Sequence, residues 1–399
     1  MKKRLFISVH ALNIGGVETS LIGLLQSLDY SRVDVDLFVF SHTGELMGMI
    51  PKEVKLLPEV FEYKWVLTDY VECLKAGYYK LAFAQFVKKV LFWLYVRIRH
   101  PKNFSASYSY MGWVLCPFLP DIGNGTYDLA LSFLDPHNFI LKHVRAKQKL
   151  GWIHTDYTKI DINKKLEGPI WGGLDKIVGV SDAVSEQFGA VFPQLKDKII
   201  TIENVLSPRF IRARADEYFP QEYRALRERE VPILCSVGRI CPPKNYENVP
   251  LMIKELLNMG TRFHWFIVGP GGSTAIQGKA KELGVSDYLT FLGPRVNPYP
   301  YIKNCSLYVH PSIYEGKSVV VREAQILCKP VVITDYPTAA SQVTDGVDGM
   351  VVPLDNKMIA KGIAEALRSP EKIDRIQSYL SSHNYGNESE VEKIYAMLD

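Results

Sequence analysis

The sequence predicts an α/β protein of two Rossmann-like domains, each an open parallel sheet, facing each other across a cleft. Two patterns and a length predict it. Short β-rich runs recur along the first half: "RLFISVH" at 4, "DVDLFVF" at 34, "YDLALSFL" at 127, "KLGWIH" at 149, "DKIVGVS" at 175 and "KIITIEN" at 198. The second half repeats the style with "ILCSVG" at 233, "FHWFIVG" at 263, "LTFLG" at 289, "SLYVHPS" at 306, "PVVITD" at 330 and "MVVP" at 350. These runs are apolar almost throughout and alternate with segments of helical periodicity, such as 247–257 and 359–367. Strands of that kind are buried on both faces of a parallel sheet. At about 150 residues per domain, 399 residues make two or three domains.

The opening "MKKRLFISVHALNIGG" has a basic start, but its apolar run ends in a turn after about five residues, so it reads as a first buried strand and not as a secretory leader. The longest uninterrupted apolar run elsewhere, 90–96, falls far short of the ~20 residues that span a bilayer. No transmembrane segment is expected. The polar, proline-containing stretch 204–232 marks the boundary between the halves.

Hydrophobic residues make up 47% of the chain and charged residues 23%, which excludes disorder as the main state. A net charge of +4 is too small to argue for nucleic acid, and none is expected as a partner. The six cysteines are scattered, with no C-x-x-C pair and no metal-ligand spacing. They read as small buried hydrophobes of a reduced, cytosolic chain.

In open α/β sheets ligands bind at the carboxyl ends of strands, and the chemistry-bearing residues fall there. "SIYEGKSVVVREAQ", 312–325, follows the strand at 306. Gly316 permits a tight turn, Ser318 can cap, and a helix continues from Val319 despite three β-branched valines. The N–H groups of Lys317, Ser318 and Val319 are then free donors at a helix start, where phosphates bind. Glu315 precedes the helix and Glu323 lies in its second turn. They hold hydroxyls at two ends of a nucleotide-sugar whose phosphates sit between them, or else they are a solvated loop charge and an exposed helix residue.

Other strand ends add to this one. In "SVGRICPPKNYENV", Gly238 precedes Arg239 and Lys244, two cations on a proline-stiffened loop that can clamp a diphosphate. "IVGPGG" supplies Gly269, Gly271 and Gly272, and "FLGPRVNPYPYIKN" supplies Gly293, Arg295 and Val296. In the first half, Gly15 and Gly16 precede a helix whose start favours negative charge, or form an ordinary strand-to-helix turn. His154 in "GWIHTDY" ends a strand, with Asp156 a lesser candidate. The "DVD" at 34–36 mimics a metal-binding D-x-D but opens a strand. No metal site or cofactor is expected, since fixed cations and helix-start donors can neutralise a leaving diphosphate.

Taken in order, Gly238-Arg239, Lys244-Asn245, V-G-x-G, F-L-G with N-P-Y, and E-G with a second Glu eight positions after the first resemble glycosyltransferase family 4. These are retaining, GT-B-fold enzymes that use nucleotide-sugar donors. The resemblance is dense over 233–354 and weaker before it, and it is closest to bacterial enzymes that build capsular, exopolysaccharide or O-antigen repeat units. This chain has Lys317 and Ser318 where many members carry Phe-Pro. The resemblance implies transfer of a hexosyl unit, with a UDP-sugar favoured, to a saccharide acceptor. It implies that Glu315 contacts the donor sugar, Glu323 the ribose hydroxyls, and Arg239 with Lys244 the diphosphate. It puts the nucleobase at Gly293, Arg295 and Val296, the loop of Gly15 and Gly16 at the diphosphate and acceptor, and His154 beside the donor sugar. It divides the chain into an acceptor-side domain, 1–205, a nucleotide-sugar-binding domain, 206–375, and a helical segment, 376–399, returning to the first.

Between Cys73 and Pro120 there is no acidic residue, while Lys75, Lys80, Lys88, Lys89, Arg97, Arg99 and Lys102 interleave with Tyr78, Tyr79, Phe83, Phe86, Phe92, Trp93 and Tyr95. Such a segment lies in a membrane interface or packs its apolar face on the first domain. A polyprenyl-diphosphate-linked acceptor would make the first alternative functional, with the protein peripheral on the cytoplasmic face of the cell membrane. The rival readings are a GT-B epimerase or phosphorylase and a non-catalytic, membrane-associated scaffold.

Overall fold

The computed structural model describes residues 2–64, 66, 70–101, 105–134, 136–315 and 317–398, without the side chains of 105–107. It divides into two compact units, Met1–Val205 together with Glu388–Asp399, and Leu206–Asn387. The expected Gly316 turn and the Lys102 cation lie outside the described residues.

The first unit holds β1 (Lys3–Val9), β2 (Val33–Val39), β3 (Lys55–Leu56), β4 (Tyr127–Ser132), β5 (Ala146–Ile153), β6 (Lys176–Gly179) and β7 (Ile199–Thr201). They form one parallel sheet in the order β3-β2-β1-β4-β5-β6-β7. From Leu5 to Val9 every residue of β1 is buried, because helices cover both faces of the sheet and leave no solvent side for alternation. The edge strand β3 was not expected: two exposed residues carry no hydrophobic period.

The second unit holds β8 (Ile233–Val237), β9 (His264–Val268), β10 (Leu289–Gly293), β11 (Leu307–His310), β12 (Val331–Thr334) and β13 (Met350–Val352). This sheet is also parallel, in the order β10-β9-β8-β11-β12-β13. In each sheet the chain winds outward from its first strand, then returns to that strand and winds the other way. The reversal leaves a crevice outside the strand ends between β1 and β4, and another between β8 and β11.

Seven helices matter below: α1 (Gly16–Ser27), α2 (Tyr79–Arg99), α3 (Val249–Asn258), α4 (Val319–Ile326), α5 (Asn356–Arg368), α6 (Pro370–Ser382) and α7 (Val391–Leu398). Met252, Ile253 and Leu256 of α3 share one buried cluster with Ile359 and Ile363 of α5 on one side of the second sheet. On the other side, Val321 and Ala324 of α4 are buried.

The unit boundary after Val205 falls within the stretch 204–232, which also contains the helices Pro208–Ala215 and Gln221–Glu228. Ser207 Oγ accepts the Phe210 N–H, proline occupies the first helical position, and Ile211, Ala215 and Tyr223 bury into the second unit. The return to the first unit starts at 388 and not at 376, because Ile376 and Leu380 anchor α6 in the second unit's core. Helix α7 packs on the first unit with Val391, Ile394, Tyr395 and Leu398 buried. There the Asp29 N–H donates to Tyr395 Oη (2.6 Å), and the Arg32 guanidinium lies 3.8 Å from the Tyr395 ring centroid.

Helix α2 buries Leu81, Ala82, Ala84, Gln85 and Lys88. Its opposite face is the unusual one: Tyr79, Phe83, Phe86, Val90, Trp93 and Leu94 recur at helical spacing and are all exposed. Lys80, Lys89, Arg97 and Arg99 are exposed beside them. Lys88 does not belong to that basic set. It is fully buried, donates to the Val66 carbonyl (3.3 Å) and lies 3.9 Å from the Tyr108 ring centroid, and burial lowers its pKa to about 8. No helix among the described residues is long and apolar enough to cross a membrane.

Candidate functional site

The carboxyl ends of three adjacent strands are stitched together through glycines. The Gly238 N–H donates to Val268 C=O and the Gly269 N–H to Gly293 C=O, each at 2.9 Å. A Cβ on Gly269 would fall 2.0 Å from the Gly238 carbonyl oxygen, so only glycine lets these two backbones meet. The loop after β11 joins the same floor, for the Ile313 N–H donates to Pro243 C=O at 2.8 Å.

On this floor Lys244 and Glu315 come together. Pro242–Lys244 makes one tight turn, stopped by Asn245 at φ 60°, a left-handed position that asparagine tolerates. Lys244 Nζ then reaches Glu315 Oε1 at 2.6 Å, with both side chains mostly buried. Ser312 Oγ donates to the same oxygen (2.7 Å), and His310 Nε2 lies 2.9 Å from it. Burial raises the pKa of this carboxyl, but the His310 contact and the Lys244 charge outweigh burial and take it down to about 2. Glu315 is an anion held by three donors at the crevice between β8 and β11.

The start of α4 differs from expectation. Ser318 Oγ does not cap the helix but lies 3.1 Å from His310 Nε2. The Ser318 N–H is not free either. The Gln342 amide grips that residue from both sides, Oε1 accepting its N–H and Nε2 donating to its carbonyl, each at 2.9 Å. Tyr336 Oη holds Gln342 Oε1 in turn (3.1 Å). Of the three expected donors at this helix start, the Ser318 N–H is therefore already taken. Lys317 beside it is half-buried.

Glu323 is nearly fully buried and accepts from Tyr299 Oη at 2.9 Å. Burial dominates and pushes its pKa up to about 7, with the Tyr299 hydrogen bond pulling the other way. Arg239 is exposed and has no ion-pair partner among the described residues. Arg295 turns toward the helix Gln221–Glu228, its Nε 3.1 Å from Tyr301 Oη and its Nη2 3.2 Å from Glu222. Only its backbone, with Gly293 and exposed Val296, is left to line the strand end.

In the first unit, His154 follows β5 and its Nε2 donates to the Phe133 carbonyl at the end of β4 (2.8 Å). Burial lowers its pKa to about 4, so the ring is neutral with Nδ1 as an acceptor. Gly15 and Gly16 open α1, but carboxylates stand beside them: Glu45 Oε2 accepts the Ile14 N–H at 3.3 Å, and a Cβ on Gly15 would lie 2.2 Å from Glu18 Oε2. Asp156 closes a local turn by accepting from the Thr158 N–H and hydroxyl. Of the "DVD" acids, Asp36 is buried under the Tyr127 hydroxyl (2.6 Å) and Asp34 pairs with Lys2 (3.4 Å). Among the described residues no group of three or more His, Cys, Asp or Glu could hold a metal ion.

Sequence reasoning assigned no role to His310, Ser312, Gln342 and Tyr336, and used Tyr299 only as the tyrosine of N-P-Y. His310 and Ser312 also carried a signal, as polar residues interrupting the apolar run at the end of β11. The partners of the other three lie 6 to 24 residues away across loops.

Residues 221–382 match the model of the family described as glycosyl transferases group 1. A transferase of Campylobacter jejuni, named N-acetylgalactosamine-N,N'-diacetylbacillosaminyl-diphospho-undecaprenol 4-alpha-N-acetylgalactosaminyltransferase, is 30% identical over 126 residues, 31% of this chain and 34% of its own. The chain covers 28% to 41% of the length of the curated relatives it matches. Among solved structures, a glycosyltransferase of Rickettsia africae superposes with a TM-score of 0.66 at 15% identity, covering 100% of this chain and 98% of that one. Anabaena HepE, solved in complex with UDP and glucose, gives a TM-score of 0.68 at 13% identity and covers 99% of each chain. The fold is shared with these proteins over the whole chain.

Proposed function

We propose that the chain, whose residues 221–382 match the glycosyl transferases group 1 model, is a retaining glycosyltransferase that moves a hexosyl unit from a nucleotide diphosphate sugar, a UDP-sugar by preference, to a saccharide acceptor. The observation that carries this reading is the pairing of Lys244 with Glu315 at the crevice between β8 and β11, where a doubly wound sheet binds nucleotides. A cation for the diphosphate and an anion for sugar hydroxyls meet there. In the reaction the bond between the anomeric carbon and the diphosphate oxygen breaks, and the acceptor oxygen bonds to that carbon on the same face. The acceptor's proton passes to the departing phosphate. Lys244 and exposed Arg239 neutralise the charge that develops on the diphosphate, and Glu323 holds the ribose.

The reading is tested by thermal unfolding with UDP-, GDP- and ADP-sugars, with and without EDTA. One nucleotide series should raise the melting temperature, since a ligand bound only by the folded state stabilises it by mass action. The effect should survive EDTA and be lost in Arg239→Ala and Glu323→Ala. A flat response to every nucleotide sugar would overturn the proposal. A strict need for Mg²⁺ or Mn²⁺ would overturn its metal-free form.

The acceptor we assign is a lipid-linked saccharide, as on a polyprenyl diphosphate, met at the inner face of the cell membrane during synthesis of a surface polysaccharide such as capsule or lipopolysaccharide. Helix α2 supports this reading. Its exposed face is aromatic and aliphatic with flanking cations, as suits a helix lying in an anionic lipid interface, where each well-placed cation adds about 1 kcal/mol. The wild-type protein should sediment with anionic vesicles at low salt and release with added salt. Phe83→Ser with Trp93→Ser, or Lys80→Glu with Arg99→Glu, should weaken binding, whereas buried Lys88 is the wrong probe. Wild type left in the supernatant points to a soluble acceptor.

A further inference from the structure

Glu315 sits in the irregular segment between β11 and α4, where no helix or strand backbone fixes its side chain. Its fixation comes from other side chains. Oε1 is contacted by Lys244, Ser312 and His310 at 2.6, 2.7 and 2.9 Å, while Oε2 takes no hydrogen bond among the described residues. A carboxylate loaded in this way is pinned through one oxygen and offers the other.

The three donors are not equivalent. Lys244 is long, and its charge is shared with the diphosphate in the reading above. The Ser312 hydroxyl rotates. His310 is the rigid one: it is the last residue of β11, fully buried, with Tyr308 stacked on its ring at 6.2 Å and Tyr336 edge-on at 6.3 Å. Its Nδ1 is buried with no partner among the described residues, so a proton on that nitrogen would be stranded in the interior. The proton belongs on Nε2, which faces Glu315 Oε1. Ser312 and Ser318 Oγ each lie 3.1 Å from the same nitrogen. The Ser318 hydroxyl thus ties the start of α4 to this ring.

We propose that His310 is the positioning residue of the donor-sugar subsite: as a neutral Nε2–H donor it fixes the Glu315 carboxylate so that Oε2 is presented to the sugar. The assignment rests on the reading of Glu315 as the donor-sugar contact. It makes affinity for the sugar part of the donor, and not for the nucleotide, depend on a ring that touches neither.

The test uses calorimetric titration of the full chain with UDP, GDP and ADP and with their glucose conjugates, taking the pair bound best and the ratio of its two dissociation constants. His310→Gln keeps an amide N–H near the position of Nε2, whereas His310→Asn places one only near Nδ1. The Asn variant should weaken binding of the glucose conjugate by on the order of tenfold while the free nucleotide changes less than about twofold. The Gln variant should restore the wild-type ratio. If the Asn variant does not fold, Ser312→Ala carries the test, with a smaller loss in the same direction. An unchanged ratio in the Asn variant, or in Ser312→Ala where that replaces it, or an equal loss of both ligands, overturns the positioning role while leaving the donor site standing. A wild-type protein that binds no nucleotide overturns the donor-site reading, and this assignment with it.

Discussion

The loop before α4 and the second turn of α4 carry the same side chain and hold it in opposite states. Glu315, in the loop, is drawn down to about 2 although burial opposes it, because the His310 contact and the Lys244 charge act on its carboxylate. Glu323, eight residues on, has among the described residues one neutral donor, Tyr299, and no cation, and burial takes it up to about 7. Burial alone does not decide the charge of a carboxyl group in a site; the number and charge of the donors brought to it do. A loop can collect donors from β8, β11 and the chain between. A helix face packed on a sheet cannot.

Isosteric swaps give the sharpest break. Glu315→Gln removes an anion from a mostly buried cation, and should cost on the order of 3 kcal/mol of unfolding free energy near neutral pH. Glu323→Gln should cost little there, or stabilise. Equal losses in urea unfolding would erase the contrast.

The pH dependence of stability should separate the two next. The folded pKa of Glu315 lies below its ordinary value of 4.5, so its contribution is full above about pH 4.5 and is lost as pH falls toward 2. The folded pKa of Glu323 lies above that value, so the folded state holds its proton more tightly. Stability from this group is full below about pH 4.5 and declines as pH rises to about 7, by up to about 3 kcal/mol. Urea unfolding from pH 4 to 8 should show this decline, and Glu323→Gln should remove it. A slope that persists in the variant assigns the effect elsewhere.

The smallest effect is expected from Tyr299→Phe. Losing the Tyr299 hydrogen bond to Glu323 should move the pH midpoint upward, with a stability change of about 1 kcal/mol. A midpoint that stays in place would mean that burial alone sets the state of Glu323.

Much of this was legible in the residues. Apolar runs alternating with helical segments determine two parallel sheets, because a strand covered on both faces has no polar side to show. The strand-end positions of Glu315, Lys244, Arg239 and His154 follow from the same pattern, since loops at the carboxyl ends of β-strands are punctuated by glycine and proline. The two residues of β3 and the helices within 204–232 were not legible: the first is too short to have a period, and the second are short helices whose polar surfaces hide three buried anchors, Ile211, Ala215 and Tyr223.

Tertiary structure alone decided the states of the groups. Nothing in "YEGKSVVVREAQ" says that Gln342 occupies the Ser318 N–H, that His310 faces Glu315, or that Lys88 turns inward on α2 while Phe83 and Trp93 turn out. A residue's type and its place along the chain follow from local pattern. Its charge, its free lone pairs and its exposure follow from which distant donors and apolar surfaces the fold packs against it, and those interactions are fixed by crossings of the sheet, 71 residues long in the case of Lys244 and Glu315.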